Sequence, residues 1–162
     1  RGGCNELPYI VLNSLLQKQD NFVMTTQNSA DSTGSRDDQP RGELAIRTLA
    51  MPADTNPSGD IFGGWVMAQM DVAGGIVAAQ HADGRVATVA VDGFIFHKPV
   101  NVGDVLCCYA EVVRVGNTSI ALRIEAWALR QRARDRRVRV TEGIFTFVAL
   151  DENGKKRPVL KP

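Results

Sequence analysis

Histidine is nearly missing from this chain: His81 and His97 are the only two in 162 residues. Neither sits in a zinc-binding spacing. No GxSxG elbow is present, and the serines lie in loops with no histidine at a telling distance. A structural metal and a serine-histidine hydrolase are therefore poor readings. Cysteine is scarce too: Cys4, Cys107 and Cys108 give neither an even framework nor a CxxC pair. That favours a reducing compartment and hence the cytoplasm. Adjacent cysteines on a strand point to opposite faces, and Cys107 and Cys108 have no suggestive base near them, so they read as strand residues. Net charge is only +1, which supplies no global field for nucleic acid or a membrane surface. No glycine-rich phosphate loop occurs: GDIFGG follows a turn cluster rather than a buried strand, and no Lys-Ser or Lys-Thr follows it.

What the chain does have is one long apolar run. Ile61 to Gln80 reads IFGGWVMAQMDVAGGIVAAQ and holds a single charge, Asp71. Its length suits a membrane span, but Asp71, two glutamines and four glycines argue for a buried core helix. Before it, residues 1–42 read as a disordered or non-native N-terminal arm. Residues 1–23 precede Met24, and 25–42 are polar without an apolar period. Leu44 to Met51 reads as a strand and Pro52 to Gly59 as a turn cluster. After the helix come four strand-like stretches, Arg85–Val100, Val105–Val115, Ser119–Leu129 and Val138–Leu150, separated by short turns. Ile120, Leu122, Ile124 and Ala126 alternate with Arg123 and Glu125, which predicts one buried and one polar face. Strands joined by short turns pair antiparallel. The expected fold is α+β: residues 43–162 form one domain in which an antiparallel sheet wraps around a single central helix.

Asp71 and the glycines eight residues before it are the strongest chemical signal. A carboxylate is expensive to bury unless it is paired or useful. Asp71 is either a structural acid inside an oligomer interface or a general base or nucleophile. Gly63 and Gly64 stand where a helix begins, and backbone N–H groups there lack intrahelical partners. Such donors can hold an oxyanion; alternatively the glycines only allow close packing. A helix rises about 1.5 Å per residue, so Gly63 and Asp71 are about 12 Å apart along the axis. Groups acting on one carbonyl must lie about 3 Å from it. A site using both thus needs a second, antiparallel copy of the helix, and occurs twice per dimer by symmetry. Asp60 is read as the helix N-cap or a member of the site, and Asn56 as a loop-fixing side chain or a polar substrate contact.

The run Arg130 to Arg139 carries six arginines and one Asp. It is a solvated hairpin or a phosphate cradle; nucleic acid is disfavoured because no aromatic residue interleaves. Lys98, beside His97 near a strand end, is a second phosphate candidate.

The stretch RTLAMPADTNPSGDIFGGWVMAQMDVAGGIVA, followed by GRVATVAVDGFIFHKPVNVGDVLCCYA, resembles the hotdog-fold acyl-CoA thioesterases, most of all their YciA-type bacterial branch. The similarity runs from about Leu44 to Val159. Its specific part is the combination of a GD-x-FGG turn, an M-x-x-MD helix and an F-x-x-x-K-P-V-x-V-G-D strand end. The resemblance implies hydrolysis of acyl-CoA to free acid and CoA without a metal or organic cofactor, by homodimers often assembled as trimers of dimers. It implies that Asp71 is the catalytic carboxylate and that Gly63 and Gly64 supply the oxyanion contact. Some relatives place an active-site Asn at the position of Asp60. Lys98, Thr118 and Ser119 match positions that line the CoA groove. Two other readings are a non-catalytic acyl-CoA-binding hotdog module and a hotdog dehydratase. The dehydratase typically uses a histidine beside the acid, and Gly63 to Gln80 contains none.

Overall fold

Period-two alternation builds the centre of the sheet. In β4 (Ser119–Leu129) Ile120, Leu122, Ile124, Ala126 and Ala128 are all buried on one face. The computed structural model describes residues 39–130 and 137–159. The elements run β1 (Glu43–Leu49), α1 (Gly63–Ala82), β2 (Val86–Phe96), β3 (Val105–Val115), β4 and β5 (Arg137–Ala149), with a short 3-10 turn at Pro52–Asp54. The five strands form one antiparallel sheet in the order β1-β3-β4-β5-β2. β1 and β2 are therefore the edges, and α1 crosses the inner face between them.

The helix lies close to the sheet because its inner side is small. Val66, Met70, Ala73, Gly74, Val77 and Ala78 are buried there, against Leu106, Cys108, Ile124, Phe145 and Phe147. A Cβ on Gly74 would lie 2.5 Å from Ile124 Cδ1 and 2.7 Å from Phe147 Cζ, so any side chain there would force those core side chains to shift. At the C-terminus Asp83 turns left-handed, and the Arg157 guanidinium donates to the carbonyls of Ala82 (2.7 Å), Asp83 (3.2 Å) and Leu150 (3.1 Å). Carbonyls that a helix end leaves without partners are satisfied in this way.

The expected architecture is present, and three details differ from expectation. The sheet packs around α1 as expected, and Met67, Val72 and Ile76 are exposed along the outer stripe of the helix. In a single chain the sheet covers one face of the helix only. The strand expected over Arg85–Val100 ends at Phe96, because the N–H groups of His97 and Lys98 both converge on the Val140 carbonyl and break the ladder. Glu125, placed by alternation on a polar face, is 1% exposed. Its outer-face neighbours Cys107, Tyr109 and Trp127 are themselves buried, and its Oε2 accepts from Trp127 Nε1 (2.9 Å) and the Arg41 N–H (3.3 Å). Arg41 and Gly42, assigned to the arm by composition, lie against the sheet. Gly42 is left-handed, and a Cβ there would sit 2.2 Å from the Ala110 carbonyl oxygen. Residues 1–38 and Arg132, Arg134 and Arg136 lie outside the described residues. Among the described residues no helix is long and apolar enough to cross a membrane.

The Gly74 contact yields a stability test. Gly74→Ala should destabilise the fold by about 1–3 kcal/mol despite alanine's better helix propensity, because the added methyl overpacks the helix-sheet seam. Urea unfolding measures it, and a stabilised variant would show that the seam yields.

Candidate active site

The turn before α1 is held by one side chain. Asn56 Oδ1 accepts the N–H groups of Ser58 (2.9 Å) and Asp60 (3.1 Å), and its own N–H donates to the Asp60 carbonyl (2.7 Å). The Asn56 amide nitrogen makes no hydrogen bond among the described residues, so a donor remains available. A bridge between Thr55 and Ile61 closes the turn, which leaves Asp60 exposed and short of the helix. Asp60 is thus not the cap: Phe62 occupies the N-cap position and offers no side-chain bond.

The helix start is bare. Trp65 and Val66 donate back to the Phe62 carbonyl, whereas the N–H groups of Gly63 and Gly64 have no acceptor among the described residues. A Cβ on Gly64 would meet nothing within 4 Å. One on Gly63 would lie 3.1 Å from the Phe96 ring. Gly63 therefore permits close packing, and Gly64 leaves open backbone. Beside the helix start is a cavity of about 380 Å³ lined by Ile61, Gly63, Val66, Phe96, His97, Lys98, Pro99, Val100 and Val140. Its wall joins the helix start to the loop that carries Lys98. Such a mouth, apolar with the free Gly63 N–H and one cation on its wall and the Gly64 N–H next along the chain, suits a polarisable carbonyl on an anionic carrier.

Asp71 is not on that wall. It is partly exposed rather than buried, in the outer stripe with Val72. Its Oδ1 accepts a short hydrogen bond from Thr88 Oγ1, 2.5 Å, across to β2. This orients one carboxylate oxygen and leaves Oδ2 to act. Sequence reasoning missed Thr88, since only the pairing of β2 beside β5 brings a residue seventeen positions on to the acid. The helix extends to Ala82 and so includes His81, but ten residues place it about 15 Å from Asp71. His81 Nδ1 lies 3.1 Å from the Val77 carbonyl. No histidine pairs with the acid as a dehydratase would require.

Thr118 sits in the β3–β4 turn and Ser119 opens β4, whereas Lys98 precedes β3. Ten strand residues, about 33 Å, separate the two ends. Within one chain they cannot hold one ligand. Of the arginine run, Arg130 is paired with Asp104 and Arg139 with Glu142 (3.5 Å). Cys108 is no nucleophile: burial, with its neighbour Cys107, pushes its thiol up to about 12.

A family model described as the thioesterase superfamily matches residues 58–133. The acyl-CoA thioester hydrolase YciA of Salmonella typhimurium is 54% identical over 125 residues, covering 76% of this chain and 94% of that protein. The crystal structure of a hexameric thioesterase from Yersinia pestis superposes with a TM-score of 0.71 at 54% identity, covering 76% of this chain and 99% of that one. An acyl-CoA hydrolase from Staphylococcus aureus, solved with butyryl coenzyme A, coenzyme A and coenzyme A disulfide, gives a TM-score of 0.66 at 31% identity, covering 72% and 70%. Two further structures of the Staphylococcus enzyme replace by alanine an asparagine and an aspartate fifteen residues apart.

Burial of both strand cysteines has a direct readout. In the native protein Cys107 and Cys108 should stay unlabelled by a thiol reagent at neutral pH, and both should react once urea unfolds the chain. Rapid native labelling of Cys108 would contradict its burial.

Proposed function

The chain belongs to the YciA-type acyl-CoA thioester hydrolases of the thioesterase superfamily, with the hotdog fold, and from that premise we propose that it cleaves acyl-CoA thioesters to free acid and CoA at sites shared between two protomers. The observation that carries this reading is the division of parts along α1. Bare N–H donors lie at its start, and a Thr88-oriented carboxylate lies about 12 Å further on.

The thioester carbonyl accepts from the Gly64 N–H, aided by the Gly63 N–H and the Asn56 amide. Asp71 of the partner subunit then acts from the opposite side. As a base, its Oδ2 takes a proton from water, hydroxide adds to the carbonyl carbon, and the oxyanion is held at the helix start. Collapse breaks the C–S bond, and the departing thiolate recovers the proton. As a nucleophile, the same oxygen attacks the carbonyl carbon and the C–S bond breaks, releasing the CoA thiolate and leaving a mixed anhydride; water opens it to the free acid and the restored carboxylate, and the proton that water loses goes to the thiolate. The spacing of Asn56 and Asp71, fifteen residues, equals that of the two side chains replaced in the Staphylococcus enzyme and supports their role. The groove for CoA combines Lys98 of one protomer with Thr118 and Ser119 of another.

The dimer follows from what one chain leaves uncovered. β2 is an edge strand with Val89, Val91, Ile95 and Phe96 exposed, and the stripe of Met67, Val72 and Ile76 lies beside it. Exposed apolar edges pair. A two-fold contact joining β2 to β2 and laying the helices antiparallel covers both and brings each Asp71 toward the other chain's helix start. Three such dimers make a hexamer, the assembly named for several related structures.

Asp71→Asn should lower hydrolysis of an acyl-CoA by about a thousandfold or more while leaving the oligomer intact. A thiol-release assay over several chain lengths measures this. Co-expression tests the sharing. Asp71→Asn and Gly64→Val, each inactive alone, should together recover about a quarter of wild-type activity, since half the dimers are mixed and each mixed dimer holds one intact site. No recovery from verified mixed dimers would place acid and donors in one chain.

A further inference from the structure

The loop between β2 and β3, His97 to Asp104, walls the cavity and carries Lys98. Its far half is tied to Ala50, the residue just past β1: the Gly103 N–H donates to the Ala50 carbonyl (2.8 Å), and the Ala50 N–H donates to the Asp104 carbonyl (2.9 Å). Its near half has a different anchor. Arg130, just past β4, donates from Nη2 to the Pro99 carbonyl (2.8 Å) and from Nη1 to the Asp104 carboxylate. Proline has no N–H, so that carbonyl is the only backbone hydrogen-bonding group Pro99 has. Asp104 is 4% exposed and also accepts the Asn101 N–H (2.8 Å), which fixes the tight turn that Gly103 closes at φ +87°. One guanidinium thus spans both ends of the loop. Lys98, next to the pinned Pro99, has no carboxylate partner among the described residues and stands exposed at the cavity.

We propose that Arg130 is a positioning residue for recognition of the nucleotide phosphates. It pins the Pro99 carbonyl to the Asp104 carboxylate, so that the Lys98 ammonium is held at the cavity mouth where the phosphates of an acyl-CoA pass. The proposal rests on the thioesterase reading above and adds the origin of selectivity for the carrier. A lysine at position 130 offers a point charge that can neutralise Asp104, but it lacks the planar fork that bridges two acceptors on different segments. The pinning is a property of arginine rather than of positive charge.

The test compares two substrates of one acyl group: the CoA ester, and the pantetheine ester, which ends before the phosphates. The readout is the ratio of kcat/KM for the first to kcat/KM for the second. Lys98→Ala should lower this preference by about tenfold, and Arg130→Gln and Arg130→Lys by about threefold to tenfold, through KM for the CoA ester rather than kcat. Combined with Lys98→Ala, Arg130→Lys should lower the preference no further, because it acts through that lysine. If Lys98→Ala leaves the preference intact, the phosphate role of Lys98 fails and the proposal with it. If Lys98→Ala lowers the preference but neither Arg130 variant does, the proposal alone fails. Equal losses on both esters would make Arg130 a general support of the fold and would also overturn it. Should Arg130→Gln not fold with Asp104 left unpaired, Arg130→Lys keeps the charge beside Asp104 and carries the test.

Discussion

Two groups on one rigid helix cannot meet. Gly63 and Asp71 are separated by the rise of eight residues, about 12 Å, and no side-chain rotation closes that gap. The geometry of the catalytic proposal descends from this constraint. The acid needs another chain's donors, the helices must then lie antiparallel, and the outer stripe of α1 must be the surface on which they do so. That stripe is mostly apolar, its polar residues being Gln69, Asp71, Gln80 and His81, so the helix shows no clean division into a wet and a dry side. One side packs on the sheet, and the other is the surface that the proposed dimer covers.

The small residues on the inner side of α1 serve the same geometry. Ala73, Gly74 and Ala78 bring the helix down onto Ile124 and Phe147. A helix seated deeply sets how far Asp71 projects, and it keeps the carboxylate within reach of the Thr88 hydroxyl on β2. Packing and chemistry therefore meet at adjacent helix positions. In the proposed site the core-facing residues decide height, and the outward-facing Asp71 acts.

Much of this was legible from the residues. Alternation in β4 and the apolar run of α1 predict the element order, and the spacing of Gly63 and Asp71 is the sequence feature on which the proposed shared site rests. What escaped was set by contacts distant in sequence. Thr88 looks like any strand threonine until β2 crosses to the edge beside β5. Glu125 follows a polar alternation, but its neighbours through space are Trp127, Tyr109 and Arg41. Asp60 has the residue type of a helix cap, but the Thr55–Ile61 bridge carries the chain past it before the helix begins. Arg130 belonged to a charge run whose composition suggested a solvated hairpin, while its guanidinium turns back to a loop thirty-one residues earlier. Local pattern shows which way a residue faces; it does not show what waits there.

The position of β2 has a further meaning. Chain order puts it directly after the helix, but the sheet sends it to an outer edge, where it carries Thr88 on one side and open backbone on the other. In the shared-site arrangement the seam between copies and the reacting groups lie on the same few residues. A gene duplicated once, with both products still able to pair, would encode an unlike dimer holding two dissimilar centres, each with its acid from one copy and its carbonyl cradle from the other. One copy could drift toward a new acyl group while its partner kept the old chemistry running.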